Sequence, residues 1–146
     1  VFSSEMDGRM KRSPIKSRSS NHRARAVAMA QSAVNAYVRA RDEGRPCISC
    51  GEMKPLQAGH YWSVGARPEL RFNAANIHGQ CHHCNIDLAG NREAFRAGIV
   101  DRYGSYLVEY LGSPMPAQKL TLDDLKAIRF NAETNRSALV EFARAA

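Results

Sequence analysis

No window of this 146-residue sequence approaches the eighteen or so consecutive apolar residues needed to span a bilayer. The N-terminal residues also lack the apolar core of a signal peptide, so the expected compartment is the cytoplasm. Negative charge is scarce: 14 acidic residues stand against 21 lysines and arginines, for a formal charge of +7 and a pI near 9.6. That shortage makes a polyanion the natural partner, nucleic acid first and an anionic membrane surface second. No internal repeat is visible, and the only biased run is a serine-rich basic N-terminus. With 44% hydrophobic residues, a chain of this length is expected to form one domain with a modest core.

Against those absences stands one dense stretch. All four cysteines fall in two C-x-x-C knuckles, Cys47/Cys50 and Cys81/Cys84, and four of the five histidines lie between Cys47 and Asn91. Each short loop can aim two thiolates at one soft cation without straining its own backbone, which is what a tetrahedral zinc site requires. The competing reading is a pair of disulfides. Cysteines two residues apart bridge poorly, however, and nothing suggests an oxidising compartment. Some thirty residues lie between Cys50 and Cys81, beyond the roughly 15–20 of a plain zinc ribbon.

Residues 1–21 show no sustained periodicity and read as a flexible basic arm. Lys11, Arg12, Lys16 and Arg18, with Arg23 and Arg25 beyond, form a positive run able to follow a phosphate backbone without sequence preference. From Asn21 to Asp42 apolar residues recur at three- and four-residue intervals with no internal proline or glycine, predicting an amphipathic helix capped by Asn21. Its stripe reads as core or a dimer face. Beyond Gly90, Arg92 to Leu111 is expected to be one helix, and Thr121-Leu-Asp-Asp124 has the form of a capping box opening a last helix that breaks near Asn131–Asn135.

The order of these features carries a resemblance. A zinc knuckle, then His60, then Asn76 shortly before a second knuckle, then Asn85 directly after its last cysteine, resembles an HNH (ββα-metal, or His-Me finger) nuclease of the four-cysteine type. The wider run Gln57-Ala-Gly-His60-Tyr, then Leu70-Arg-Phe-Asn73-Ala-Ala-Asn76-Ile-His78-Gly-Gln-Cys81-x-x-Cys84-Asn85, resembles more closely the lambdoid phage NinG/Rap family of recombination endonucleases. The resemblance covers roughly residues 45 to 130 and implies an α+β, mostly helical fold. In it a small zinc-stapled ββα-metal core is flanked by N- and C-terminal helices in a single domain over 22–146. The two strands are expected around His60 and at Leu70–Phe72, and the helix from about Cys81 to Leu88. That layout sets His60 facing Asn85 across a small cleft.

The chemistry implied is metal-dependent hydrolysis of DNA in branched recombination intermediates such as D-loops and Holliday-type junctions. His60 would be the general base, its alternative being a core histidine. Asn76 would brace the loop, and Asn85 would bind Mg²⁺ or Mn²⁺. Related nucleases place an aspartate before the catalytic histidine where this chain has Gly59, which leaves His60 itself, His78, Asp87 and Asn91 as candidates to complete the cation site. His78 is equally readable as a hydrogen-bonding residue of the knuckle loop. Arg67, Arg71, Arg92 and Arg96 flank the expected cleft as phosphate contacts or as bland surface charge, and Tyr61 and Trp62 as stacking or packing residues. A phage or prophage protein in a bacterial host, a homodimer and further recombination proteins as partners complete the expectation. Two other functions fit the same residues: a non-catalytic zinc-ribbon DNA-binding module, and a zinc domain for protein interaction.

Overall fold

The computed structural model describes residues 18–146, with side chains from Ser20 onward, so the expected phosphate contacts Lys11, Arg12 and Lys16 lie outside the described residues. Helix α1 spans Arg18–Arg41. It starts ahead of Asn21, so Asn21 is not its cap, and Arg18, assigned from sequence to the arm, belongs to the helix. Its first turns are held in place by tertiary contact, since the Arg23 guanidinium donates to Leu120 O at 2.7 Å. The stripe predicted from sequence buries Ala30, Val34 and Val38.

Strands β1 (Leu56–His60) and β2 (Ile77–Cys81) pair antiparallel, Leu56 opposite Cys81 and His60 opposite Ile77. The second strand is therefore not Leu70–Phe72. Pro68 pre-sets a helical φ there, and Pro68–Leu70 form a 3₁₀ turn that drops Leu70 fully into the core. Because side chains alternate across a sheet, Leu56, Ala58 and His60 share one face with Ile77 and Cys81, while Gln57 and Gly59 share the other with His78 and Gln80. Ala58 and Ile77 pack on Val34 and Val38 of α1, and on the opposite face His78 meets the ring of Phe95.

After β2 the chain makes a single wide π turn, His83–Asp87, in place of the expected helix. Helices α2 (Arg92–Tyr103) and α3 (Ser105–Gly112) follow, separated by Gly104 at φ +92°, where one continuous helix was expected. Together they close a core of Ile48, Tyr61, Leu70, Phe95, Ile99 and Leu111. Helix α4 (Leu122–Ala145) opens on the predicted capping box: Thr121 Oγ1 accepts from the Asp124 N–H at 3.1 Å, and the Asp124 carboxylate accepts from the Thr121 N–H at 2.7 Å. It does not break near Asn131–Asn135, because Ala132 in that stretch is buried against α1 and Ile77. α4 runs beside α1 in the same direction: Met29 Sδ lies 3.8 Å from Arg129, and further along Arg136 and Val140 line one groove with Arg39 and Gly44. The described chain is thus mostly helical around a two-stranded sheet, and no described helix is long and apolar enough to cross a membrane.

Candidate metal centre and functional site

Each knuckle is shaped by its backbone before any metal is considered. Gly51, at φ +72°, lets its N–H return to Cys47 O at 2.9 Å, and the Ile48 N–H donates to Gly79 O at 3.0 Å, which fastens the first knuckle to β2. Cys81 ends β2 and Cys84 sits in the π turn. The four sulfur atoms lie within 4.8 Å of one another, and Cys50 Sγ and Cys81 Sγ are 3.8 Å apart. A tetrahedron with metal–sulfur bonds of about 2.3 Å has edges of about 3.8 Å, whereas a disulfide would need about 2.05 Å. The donor set therefore fits zinc.

The sulfurs differ in their surroundings. Burial pushes the Cys84 thiol up to about 12. Burial also works against ionising Cys47, but N–H groups of Cys81, Cys50 and Ser49 directed at its sulfur outweigh it and lower that thiol to about 7. Four thiolates so close together are tolerable only with a cation between them. Asn91, a candidate for the hard cation, instead donates from Nδ2 to Cys84 Sγ at 3.5 Å and so belongs to the thiolate site.

His60 ends β1 half-buried, with Nε2 3.0 Å from Arg71 O. A carbonyl only accepts, so Nε2 carries the proton and Nδ1 keeps its lone pair. Burial, assisted by the Arg71 charge, holds the imidazole below its ordinary 6.5. Asn76 is fully buried and stitches the loop after His60: Oδ1 accepts from the Trp62 N–H at 2.9 Å, Nδ2 donates to Trp62 O at 3.0 Å, and Asn76 O accepts from the Tyr61 N–H at 2.8 Å. Asn85 is not across from His60. Its Nδ2 donates to Gln57 Oε1 at 2.9 Å, on the face of β1 that His60 does not occupy. Position 59 is filled by Gln80, whose Oε1 would stand 2.3 Å from a Cβ there. That oxygen is buried and unbonded, while Nε2 donates to Ser49 Oγ and Gly90 O. The amides of Gln57, Gln80 and Asn85 offer this face neutral oxygens only.

A family model described as "Bacteriophage Lambda NinG protein" matches residues 4–141. The chain belongs to the NinG family. It is 42% identical over 105 residues to protein ninG of Escherichia phage lambda and 41% identical to that of Salmonella phage P22, matches covering 70% of this chain and 52% of each relative. Protein ninG of Enterobacteria phage H19B is 40% identical over 112 residues, covering 75% of this chain and 55% of that protein. The chain spans about half the length of these curated relatives. No solved structure gives a significant match.

In this NinG chain the remaining candidates separate by what they touch. His78 is buried and does not open to the cleft: Nε2 is 2.8 Å from Ala75 O, Nδ1 is 3.3 Å from Arg41, and its ring lies against Phe95 and Tyr103. Burial first and the Arg41 charge second push it down to about 4, so it is neutral and structural. Asp87 sits in the open, 3.1 Å from His83 Nδ1 and 3.7 Å from His82 Nε2. Arg67 is committed to Glu69, Leu111 O and Ser113 O, and Arg71 to Gln31. Arg92 and Arg96 remain exposed.

Sequence reasoning missed the Arg41–Asp42 pair. Asp42 is fully buried, takes both Arg41 hydrogen bonds at 2.8 and 2.9 Å and accepts the Gly79 N–H at 2.7 Å, while Arg41 also donates to Ala74 O and Ile77 O. Burial alone would raise its carboxyl, but these donors hold it below the usual range. The pair bolts the end of α1 to β2 and to the turn carrying Asn76. Nothing local marks it, since Arg-Asp at a helix end reads as surface charge.

Proposed function

We propose that this chain is a divalent-metal-dependent DNA endonuclease that cuts branched recombination intermediates in the cytoplasm of a bacterial host. One observation carries the reading: His60 ends a strand whose partner is held by the cysteine cluster, with Nε2 tied to Arg71 O, Nδ1 unprotonated and the following loop braced by Asn76. A neutral imidazole fixed in one tautomer is suited to taking a proton from water. The +7 charge suits a substrate read through its backbone and shape. Mg²⁺ or Mn²⁺ would neutralise the scissile phosphate on the His60 side of β1; Asn85, the ligand the resemblance implies, lies on the other face, so a Mn²⁺ soak would identify the ligands of that cation.

With Mg²⁺ or Mn²⁺, nicking of branched DNA is expected, and His60→Ala should lower its rate by about 10²- to 10⁴-fold. The base must be unprotonated, so the rate should rise with pH through a pKa below 6.5 and then level off. Equal cutting by His60→Ala would sink the assignment. One observation favours a non-catalytic zinc DNA-binding module instead: the place of the missing carboxylate is packed shut by Gln80. Binding to branched DNA without any cutting would select that reading.

A homodimer belongs to the same proposal. Phe130 and Phe142 of α4 and Tyr106 of α3 stay 67%, 76% and 72% exposed, aromatic rings that a second copy would cover. Sedimentation equilibrium should then give twice the 16.2 kDa protomer mass; a single protomer at micromolar concentration would contradict it.

A further inference from the structure

We infer that Arg92, laid flat on Trp62, is the residue that seats a phosphate of the bound DNA strand, and this rests on the DNA-binding reading above. The Arg92 guanidinium lies 3.5 Å from the centroid of the Trp62 ring and 5.4 Å from that of Tyr61. Stacking of this kind fixes the plane of the fork and removes side-chain freedom that binding would otherwise have to remove. Its N–H edge makes no hydrogen bond among the described residues, and the residue is exposed. The other candidates differ: Arg67, 5.8 Å from the Trp62 centroid, spends its donors on Glu69 and two carbonyls; Arg71, 5.5 Å from the Phe72 centroid, gives its Nε to Gln31; and Arg96 has no aromatic ring beneath it among the described residues. Arg92 is thus the one arginine of the four that sits within 3.5 Å of a ring centroid and has every donor free among the described residues.

The surroundings hold that orientation. Trp62 is half-buried, packed on the Tyr61–Phe95 core, and its backbone is pinned on both sides by Asn76, two residues beyond His60. On the other side, Ala89 at φ +49° and Asn91 at φ +41° flank Gly90 at φ +94°, a left-handed run immediately before Arg92. Non-glycine residues enter that region at a cost and persist where the structure over-determines them. Here Gly90 O accepts from Gln80 and Asn91 bonds Cys84 Sγ, so the run is clamped to β2 and to the cysteine cluster. The start of α2, and Arg92 with it, is set by the metal centre. A planar cation with its outward edge free matches the two oxygens of a phosphodiester.

Trp62 is the sole tryptophan, so its emission reports on the stack directly. The full chain, loaded with zinc and with Ca²⁺ as the only other divalent ion, would be titrated with end-labelled branched DNA while labelled-DNA anisotropy and Trp62 fluorescence are followed. DNA should change Trp62 emission saturably, with the same midpoint as the anisotropy. Arg92→Ala should weaken binding about tenfold and lower the salt slope by about one, with melting temperature and zinc content unchanged. Arg92→Lys should restore the slope but not the affinity. Arg96→Ala, which removes the same charge one turn on, should cost less than about threefold. Equal losses for Arg92→Ala and Arg96→Ala, or Trp62 emission indifferent to saturating DNA, would overturn the inference while leaving DNA binding intact. No binding by the wild type even at low salt would instead defeat the reading on which it rests.

Discussion

Stripping the metal, or replacing Cys84 with serine, is expected to unfold the centre of the protein and not merely to slow it. The sheet has two strands of five residues, which is marginal in water by itself. At the knuckle end the sheet's own Leu56 packs on Cys47, Cys81 and Cys84, a small apolar cluster. The cluster ties together four elements: the turn after α1, the end of β2, the π turn and, through Asn91, the start of α2. Structural zinc contributes about 10 kcal/mol or more of folding free energy at such sites. The melting temperature should therefore fall by at least about 20 °C in the apoprotein and in Cys84→Ser, for a chain of this size. Helical circular dichroism should persist partly, because α1 and α4 pack on each other through Val34, Val38, Ile128 and Ala132 away from the cysteines. Unchanged melting with the zinc demonstrably gone would show that the cysteines are not the staple.

Gly98→Ala is also expected to be destabilising, by less than loss of the metal, although glycine to alanine inside a helix ordinarily stabilises by up to about 1 kcal/mol. A Cβ at position 98 would stand 1.7 Å from Ile48 O and 2.8 Å from Ile48 C. The obstacle is backbone of the first knuckle, held by the Gly79 carbonyl and by the cysteines on either side, so it cannot step aside. α2 would have to lift, separating Phe95 and Ile99 from Ile48, Tyr61 and Leu70. Overpacking of that kind costs about 3 kcal/mol or more, and the melting temperature should drop by roughly 6–12 °C. Gly112→Ala, where a Cβ meets nothing within 4 Å, is the matched control and should be neutral. A Gly98→Ala protein as stable as the Gly112→Ala protein would rule out the close approach of α2 to the knuckle.

Much of this architecture was legible in the chain because its causes are local. A C-x-x-C loop aims two thiolates whatever surrounds it, and the sulfurs do converge within 4.8 Å. A three-to-four residue apolar rhythm without proline makes a helix, and Thr121 with Asp124 caps one, as found. The candidates that failed did so for two kinds of reason, a proline or glycine breaking a rhythm and a partner brought in from afar. Leu70–Phe72 alternates like a strand but is turned by Pro68 and drawn into the core, leaving Ile77–Cys81 to pair with β1. Gly104 splits a helix whose apolar stripe continues straight through it. His78 looked available as a ligand until Arg41 and Phe95 enclosed it.

The sequence by itself determined the four-cysteine cluster, the helical character, the net positive charge and the NinG family, since each depends on residue identity and short spacing. Only the tertiary structure decided which face each residue occupies. Strand register put His60 and Asn85 on opposite sides of β1, packed Gln80 over Gly59, committed Arg67 and released Arg92. A one-residue step along a strand reverses the direction of a side chain, and that direction is fixed by what packs above and below it.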